Sequence, residues 1–297
     1  MRDVTVLHRT TYRYARPVRL ELHRLMVRPQ DSHDLRLTNA SLSVFPAPLT
    51  TRWTHDVFGN SVCLLEWDPR LETSELEIVS RLELQHFPGG ASLPQATLDR
   101  TAEILPFSYA SAEIPDLARL TERHLPDPDR RVDAWVRQFL GNTSGAQTLE
   151  VLEAINRAIR REFKYVTRIE EGTQTPLQTM NNGSGACRDF ALFMMEALRT
   201  LGLAARFVSG YLYDSENTST IGGGATHAWC SVYLPGAGWV EYDPTNGLFA
   251  GDNLIRVAAT RTPEQAITVS GGFVGTIHDA LAMEVDVQVT ASAPGGG

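Results

Sequence analysis

One cysteine of this chain lies where a helix is predicted to begin. Cys187 follows a turn rich in Gly and Asn, residues 181–186, and precedes a segment that is apolar on nearly every side up to Leu201. Unpaired N–H groups and the dipole at a helix N-terminus favour the thiolate, which is the nucleophilic form of cysteine. The alternative is an inert cysteine that caps a core helix, the commoner role of a free cysteine taken alone.

The candidate base is His227, at the start of the predicted strand 227–234. A Gly-rich loop precedes it and can give solvent and substrate access. The alternation of side chains along a strand places His227 and Trp229 on one face and Cys230 on the other. Cys230 is therefore predicted to be a core residue and Cys187 the nucleophile. A lone histidine at a strand end would more often be structural, but this one has a helix-start cysteine as a potential partner.

Asp243 ends the next predicted strand, and residues 235–238 form a short loop between the two strands. A loop of this length predicts an antiparallel hairpin, which brings the end of the second strand back to His227. A carboxylate there accepts a hydrogen bond from one imidazole nitrogen, so that the other nitrogen faces the sulfur. The alternative role for Asp243 is to cap a turn before Pro244.

An acyl-transfer site also needs donors for the oxyanion, and the Cys187 backbone N–H is one candidate. Gln174 and Gln178 are upstream amides that could supply the second, and Gln174 is preferred because it lies in an irregular loop. A solvated polar loop is an equally good interpretation of that segment. Trp229 is a candidate to wall the acyl site, although aromatic residues in strands usually pack in the core.

Hydrophobic periodicity predicts the elements that position these residues. Residues 4–87 alternate as strands do, residues 115–163 carry helical spacing, and Met283 to Val289 alternate again. The predicted organisation is an N-terminal β domain (1–90), a linker or crossover (91–112), a catalytic domain (113–260), and a C-terminal extension with a returning strand and a flexible tail (261–297).

Four ordered blocks of this sequence resemble bacterial transglutaminase-like proteins, which belong to the papain-like thiol enzyme superfamily. The blocks are Gly185-Ala186-Cys187-Arg188-Asp189-Phe190, residues 206–212, His227-Ala228-Trp229, and residues 238–245; the N-terminal β region is also similar to that of the family. The resemblance implies an α+β fold, in which an antiparallel β-sandwich-like domain precedes a papain/transglutaminase-like α+β catalytic domain. It also implies that Cys187, His227 and Asp243 form a catalytic triad.

Composition excludes several other classes. The 27 Lys and Arg against 35 Asp and Glu give a net charge of −8, so the chain has no overall basic field for nucleic acid or an anionic membrane. No apolar run is long enough to span a bilayer, and the start lacks the apolar core of a signal peptide, so a cytoplasmic location is expected. The His and Cys residues lack metal-ligand spacing, and no metal or organic cofactor is expected.

The sequence thus predicts a cysteine-dependent acyl-transfer enzyme, a protease, amidase or acyltransferase, whose partner is a peptide or protein amide substrate. Hydrolysis is favoured over cross-linking, because the polar, Gly-rich loop 214–224 before His227 is expected to leave the site wet. The alternative is a non-catalytic binding or scaffold protein that retains the fold of a thiol enzyme. The sequence predicts no oligomeric state.

Overall fold

The structure is a computed structural model that describes residues 1–87, 97–141, 145–168, 170–213, 221, 224–250 and 253–292, with the backbone alone at 249 and 250. Parts of three predicted segments lie outside these residues. They are the crossover over 88–96, the loop before His227 over 214–220 and 222–223, and the tail from 293 onward.

An antiparallel sheet forms the N-terminal part of the molecule. Its first five strands run in the order β2-β5-β1-β4-β3. They are β1 (Arg2–Leu25), β2 (Leu35–Phe45), β3 (Thr50–His55), β4 (Ser61–Glu66) and β5 (Thr73–His86). The long strand β1 has different partners along its length. Its first half pairs with β5, and its end pairs with β4. The alternation in the sequence corresponds to this arrangement, with Val4, Val6, Leu82 and Leu84 buried.

The end of the chain returns to this sheet. The strands β15 (Val269–Val274) and β16 (Ala280–Ala291) both pair antiparallel with β1. In β16, Val287 is buried opposite His8. The N-terminal sheet is therefore completed by residues from the end of the chain.

The region between, which contains the candidate site residues, consists of helices on a second antiparallel sheet, whose order is β13-β12-β11-β10-β14. Its strands are β10 (Ala205–Leu212), β11 (His227–Leu234), β12 (Gly238–Asp243), β13 (Leu248–Ala250) and β14 (Leu254–Thr260). The helices are α1 (Ile114–Thr121), α2 (Arg131–Arg137), α3 (Thr148–Glu162), α4 (Pro176–Asn182) and α5 (Cys187–Thr200). Two short ladders pair β6 (Ile104–Leu105) with β7 (Ala146–Gln147) and β8 (Lys164–Tyr165) with β9 (Ser184–Gly185). This architecture confirms the predicted fold class.

Helix α5 is buried from Asp189 to Arg199, as its all-round apolar pattern predicts. It packs on the sheet face that carries Cys230, Val232 and Leu234. Within the helix, the buried Glu196 and Arg199 form an ion pair at 2.8 Å. Among the described residues, no helix is long and apolar enough to cross a membrane.

The two sheets meet through β10 and β14. Tyr211, Tyr213, Ile255 and Val257 pack with buried aliphatic residues of β1 and β5. At this contact the Tyr211 hydroxyl lies 3.0 Å from His8 Nδ1. Burial lowers the pKa of His8 to about 4, partly opposed by Asp286, so the ring is neutral there. The N-terminal sheet thus supports the strand next to the one that begins with His227.

Candidate active site

Cys187 is the first residue of α5. The chain reaches it through Ala186, which is extended at φ −89° and ψ 174°, and the Ala186 N–H donates to Asp189 Oδ2 at 2.8 Å. A Cβ on Gly185 would lie 2.9 Å from Asp189 Cβ, so glycine permits this tight approach to the helix. Cys187 is half-buried, whereas Cys63 and Cys230 are buried. The predicted nucleophile is the cysteine that solvent reaches.

His227 begins β11 and is 1% exposed. Its partner across the ladder with β10 is Gly210. A Cβ on Gly210 would lie 2.0 Å from the Ile255 carbonyl oxygen and 2.8 Å from the Trp229 ring. Any larger residue at position 210 would clash with both groups. Glycine is therefore required for β14 and the Trp229 ring to pack this closely on β10.

Asp243 ends β12, and the β11–β12 hairpin brings it to His227 as the short loop predicts. His227 Nε2 lies 2.9 Å from Asp243 Oδ2. The carboxylate is held by the Thr245 N–H at 2.9 Å and by Asn246 Nδ2 at 2.7 Å. Asn246 also accepts from the Ile221 N–H at 2.9 Å, which ties the segment before His227 to the same carboxylate. Sequence reasoning missed Asn246, whose only signal is its place three residues after Asp243.

The pairing sets the charge of both groups. Burial alone would lower the pKa of His227, but the charge and hydrogen bond of Asp243, with a contribution from the Cys187 sulfur, raise it to about 10. Burial raises the pKa of Asp243, and the charge and hydrogen bond of His227 hold it below its usual range. At neutral pH the site therefore holds an imidazolium beside a carboxylate.

The second ring nitrogen, His227 Nδ1, is the one left for the sulfur. It is buried, and within the described part of the chain it has no hydrogen bond of ordinary geometry. Cys187 nevertheless lies close enough to raise the pKa of the ring. Catalytic hydrogen bonds are often long in the absence of substrate and tighten when it binds. The structure thus brings together all three residues of the predicted triad.

The two candidate amides have different surroundings. Gln174 is buried, its N–H donates to Asp189 Oδ1 at 2.7 Å, and its Oε1 accepts from Asn182 Nδ2 at 2.9 Å. Gln178 caps α4, because its Oε1 accepts from the Thr175 N–H at 2.8 Å. The Gln178 side chain is therefore used to cap α4. The Gln174 backbone N–H, in contrast, binds the Asp189 carboxylate, which also binds the Ala186 N–H.

Trp229, a predicted substrate contact, is a core residue in the structure. It is fully buried in a cluster with Val208, Leu212, Leu254 and Ala259. Its ring stacks on His227 with centroids 6.1 Å apart and planes at 28°. In the structure Trp229 therefore has the contacts of a core residue, and it meets the site through the His227 ring. Strand parity placed it on the face of His227, but that face is covered.

Tyr165 is a neighbour of the site that sequence reasoning missed. It pairs with Gly185 in the β8–β9 ladder, two residues before Cys187. Burial raises the pKa of the Tyr165 phenol, and the nearby Cys187 raises it further. The signal was weak, because two-residue ladders leave no periodicity in the sequence.

The described residues contain no group of three or more His, Cys, Asp or Glu that could hold a metal ion. The reacting groups available at this site are the thiol, the imidazole and the carboxylate described above. With the N–H groups of the helix start beside it, this set of groups suits nucleophilic attack on a carbonyl carbon.

Comparisons with known proteins place the chain in a family. The transglutaminase-like superfamily model matches residues 133–244, and the bacterial transglutaminase-like N-terminal region model matches residues 4–85. An uncharacterized protein of Mycobacterium tuberculosis is 30% identical over 273 residues, which are 86% of this chain and 82% of that protein. An uncharacterized protein of Mycobacterium leprae is 24% identical over 301 residues, 97% of this chain and 98% of that protein.

Among solved structures, a candidate cysteine protease of Cytophaga hutchinsonii has a similar fold. The TM-score is 0.68 at 17% sequence identity, over 100% of this chain and 92% of that chain. The likeness spans both the N-terminal sheet and the region of helices on the second sheet. The chain therefore belongs to the bacterial transglutaminase-like proteins, with the transglutaminase-like core and the N-terminal region of that family.

Proposed function

We propose that this protein is a cysteine-dependent acyl-transfer enzyme that acts on a peptide or carboxamide bond through Cys187, His227 and Asp243. One observation carries the proposal. A half-buried cysteine at a helix start lies beside a buried histidine, and the far nitrogen of that histidine is bound to a buried carboxylate. Burying a charged pair is costly, and at a site that solvent can reach it is better explained by catalysis than by stability.

In this reaction the Cys187 thiolate attacks the carbonyl carbon, and the electron pair of the C=O bond moves onto the oxygen. The tetrahedral intermediate collapses to a thioester as the C–N bond breaks, and the His227 imidazolium gives its proton to the departing amine. An acceptor then attacks the thioester and loses a proton to His227, and the thiolate is restored. Asp243 orients the ring throughout.

Water is the acceptor that we favour. True transglutamination needs a second site that binds an amine and excludes water, because water at about 55 M competes with a dilute amine. The loop on which the sequence argument rests lies mostly outside the described residues, but the half-buried state of Cys187 supports solvent access. The activity proposed is therefore that of a protease or amidase.

Partitioning of the acyl group tests the choice of acceptor. A reactive amide substrate supplied with a primary amine at millimolar concentration should give mainly the free acid, because nothing in the proposal concentrates the amine. The products are separated by chromatography, with Cys187→Ala as the control. A dominant amine adduct that needs Cys187 would replace hydrolysis by transamidation and leave the triad in place.

Selective alkylation tests the proposed nucleophile. Iodoacetamide at neutral pH should modify Cys187 at least about 10-fold faster than Cys63 or Cys230. Burial raises the pKa of the Cys63 thiol to about 11 and that of Cys230 to about 12, so both remain protonated. His227→Ala should slow the labelling of Cys187, because the imidazolium that stabilises the thiolate is lost. Peptide mass spectrometry measures each rate, and equal labelling of all three cysteines would favour the non-catalytic binding protein instead.

A further inference from the structure

The Gln174 side chain presents two chemically opposite ends, and only one of them suits an oxyanion. Its Nε2 is a donor and its Oε1 an acceptor, and Oε1 is bound to Asn182 Nδ2 at 2.9 Å. We propose that Asn182 is a positioning residue that orients the Gln174 amide so that Nε2 serves as the second oxyanion donor. The inference rests on the acyl-transfer function proposed above and assigns the residue that fixes this donor.

The backbone of Gln174 is held against the start of α5. The Asp189 carboxylate accepts from the Gln174 N–H at 2.7 Å and from the Ala186 N–H at 2.8 Å. Arg168 Nη1 binds both oxygens of this carboxylate, at 2.8 and 2.9 Å. Ala186 directly precedes Cys187. The fully buried Asp189 carboxylate therefore fixes both the Gln174 backbone and the backbone that leads into Cys187.

A second clamp holds the loop that leads to Gln174. Arg188, the residue after Cys187, donates through Nε to the Gly172 carbonyl at 2.7 Å and through Nη2 to the Glu170 carbonyl at 2.6 Å. The loop is thus held from two consecutive positions of the first turn of α5, Arg188 and Asp189. With the backbone fixed in this way, the remaining freedom of Gln174 lies in its side chain.

Helix α4 carries Asn182 to the place where it can set that side chain. The helix begins at the Thr175 cap, directly after Gln174, and ends at Asn182. Gly183 then turns the chain at φ 60°, a left-handed conformation that suits glycine, and leads into β9. The two ends of one short helix therefore bear the two amides that meet.

An amide that can rotate offers either end to the oxyanion. Asn182 donates to Oε1 and so leaves Nε2 as the end of the amide that can donate elsewhere. An aspartate at 182 can only accept, so it would bind Nε2 and turn the Gln174 carbonyl oxygen outward, where it repels the oxyanion. An alanine at 182 can neither donate nor accept, so it would leave the Gln174 amide without a preferred orientation. The expected order of acylation rates is wild type, then Asn182→Ala, then Asn182→Asp.

The test compares acylation with alkylation of Cys187 in the full chain. With p-nitrophenyl acetate, the thiolate attacks the ester carbon through an oxyanion and releases p-nitrophenolate; with iodoacetamide, it displaces iodide and no oxyanion forms. Asn182→Asp should slow acylation about 10²-fold, comparable to Gln174→Ala, because loss of one oxyanion donor costs about 10²- to 10³-fold. Asn182→Ala should cost less than about 10-fold, and neither variant should change the alkylation rate.

The matched control is Asn181→Asp, which adds the same charge one residue away. The Asn181 Oδ1 accepts from Arg131 Nη1 at 2.6 Å, and an aspartate keeps that acceptor, so this variant should acylate like wild type. Wild-type acylation rates in Asn182→Asp, or equal slowing of acylation and alkylation, would overturn the inference. Failure of the wild-type chain to acylate at Cys187 would overturn the acyl-transfer proposal itself, and the inference with it.

Discussion

Cys187→Ala is expected to lower the turnover of p-nitrophenyl acetate by at least about 10³-fold, because nucleophile and base act as a unit and removal of the nucleophile ends covalent catalysis. The site around it should survive, since the change removes only a half-buried sulfur and leaves the His227–Asp243 pair intact. Release of p-nitrophenolate at neutral pH measures the effect.

Cys63→Ala is the matched control for this prediction. It removes a thiol from β4 in the N-terminal sheet, where Cys63 is buried in a separate apolar cluster. Turnover should stay near that of the wild-type chain. If Cys187→Ala kept more than about a tenth of the wild-type rate, another group would be the nucleophile and the assignment of Cys187 would fail.

Asp189→Ala is expected to lower the free energy of unfolding by about 3–5 kcal/mol, the largest change in stability among the substitutions considered. The fully buried carboxylate holds Arg168 and two backbone N–H groups. Its removal leaves a largely buried guanidinium with only the exposed Glu170 as an ion-pair partner, at 3.5 Å, and two backbone donors without acceptors. Urea unfolding followed by circular dichroism measures the change.

Asp68→Ala provides the comparison for this second prediction. The Asp68 carboxylate also pairs with an arginine, Arg70, but that pair lies at the surface. Exposed ion pairs contribute little, so the free energy of unfolding should hardly change. Equal effects of the two substitutions would show that Asp189 does not hold the start of α5 and the Gln174 loop together.

The proximity of Cys187, His227 and Asp243 could be predicted because it follows from local patterns. A four-residue loop between two alternating strands implies a hairpin, and the hairpin places His227 beside Asp243. An apolar run that begins just after Cys187 implies that the cysteine starts a buried helix. The alternation of side chains along β11 also correctly placed Cys230 on the face opposite His227, where it packs in the cluster that contains α5.

The supports of the site could not be predicted, because they join segments far apart in the chain. Asn182 meets Gln174 only once α4 has formed, and Asp189 reaches Gln174 only across the start of α5. Parity gives the face of Trp229 but says nothing about what covers that face. The pairing of β15 with β1 joins residues more than 200 positions apart, and no local periodicity reports such a contact.

If Cys187 carries the acyl group, the thioester can be trapped on it. The chain is mixed with p-nitrophenyl acetate, quenched in acid within the first turnover, digested and analysed by mass spectrometry. We predict one acetyl group on the peptide that contains Cys187, released by neutral hydroxylamine as a thioester is, and absent from His227→Ala quenched at the same time. An acetyl group that forms only at lysine or another cysteine, or none during turnover, would show that Cys187 does not carry the acyl group.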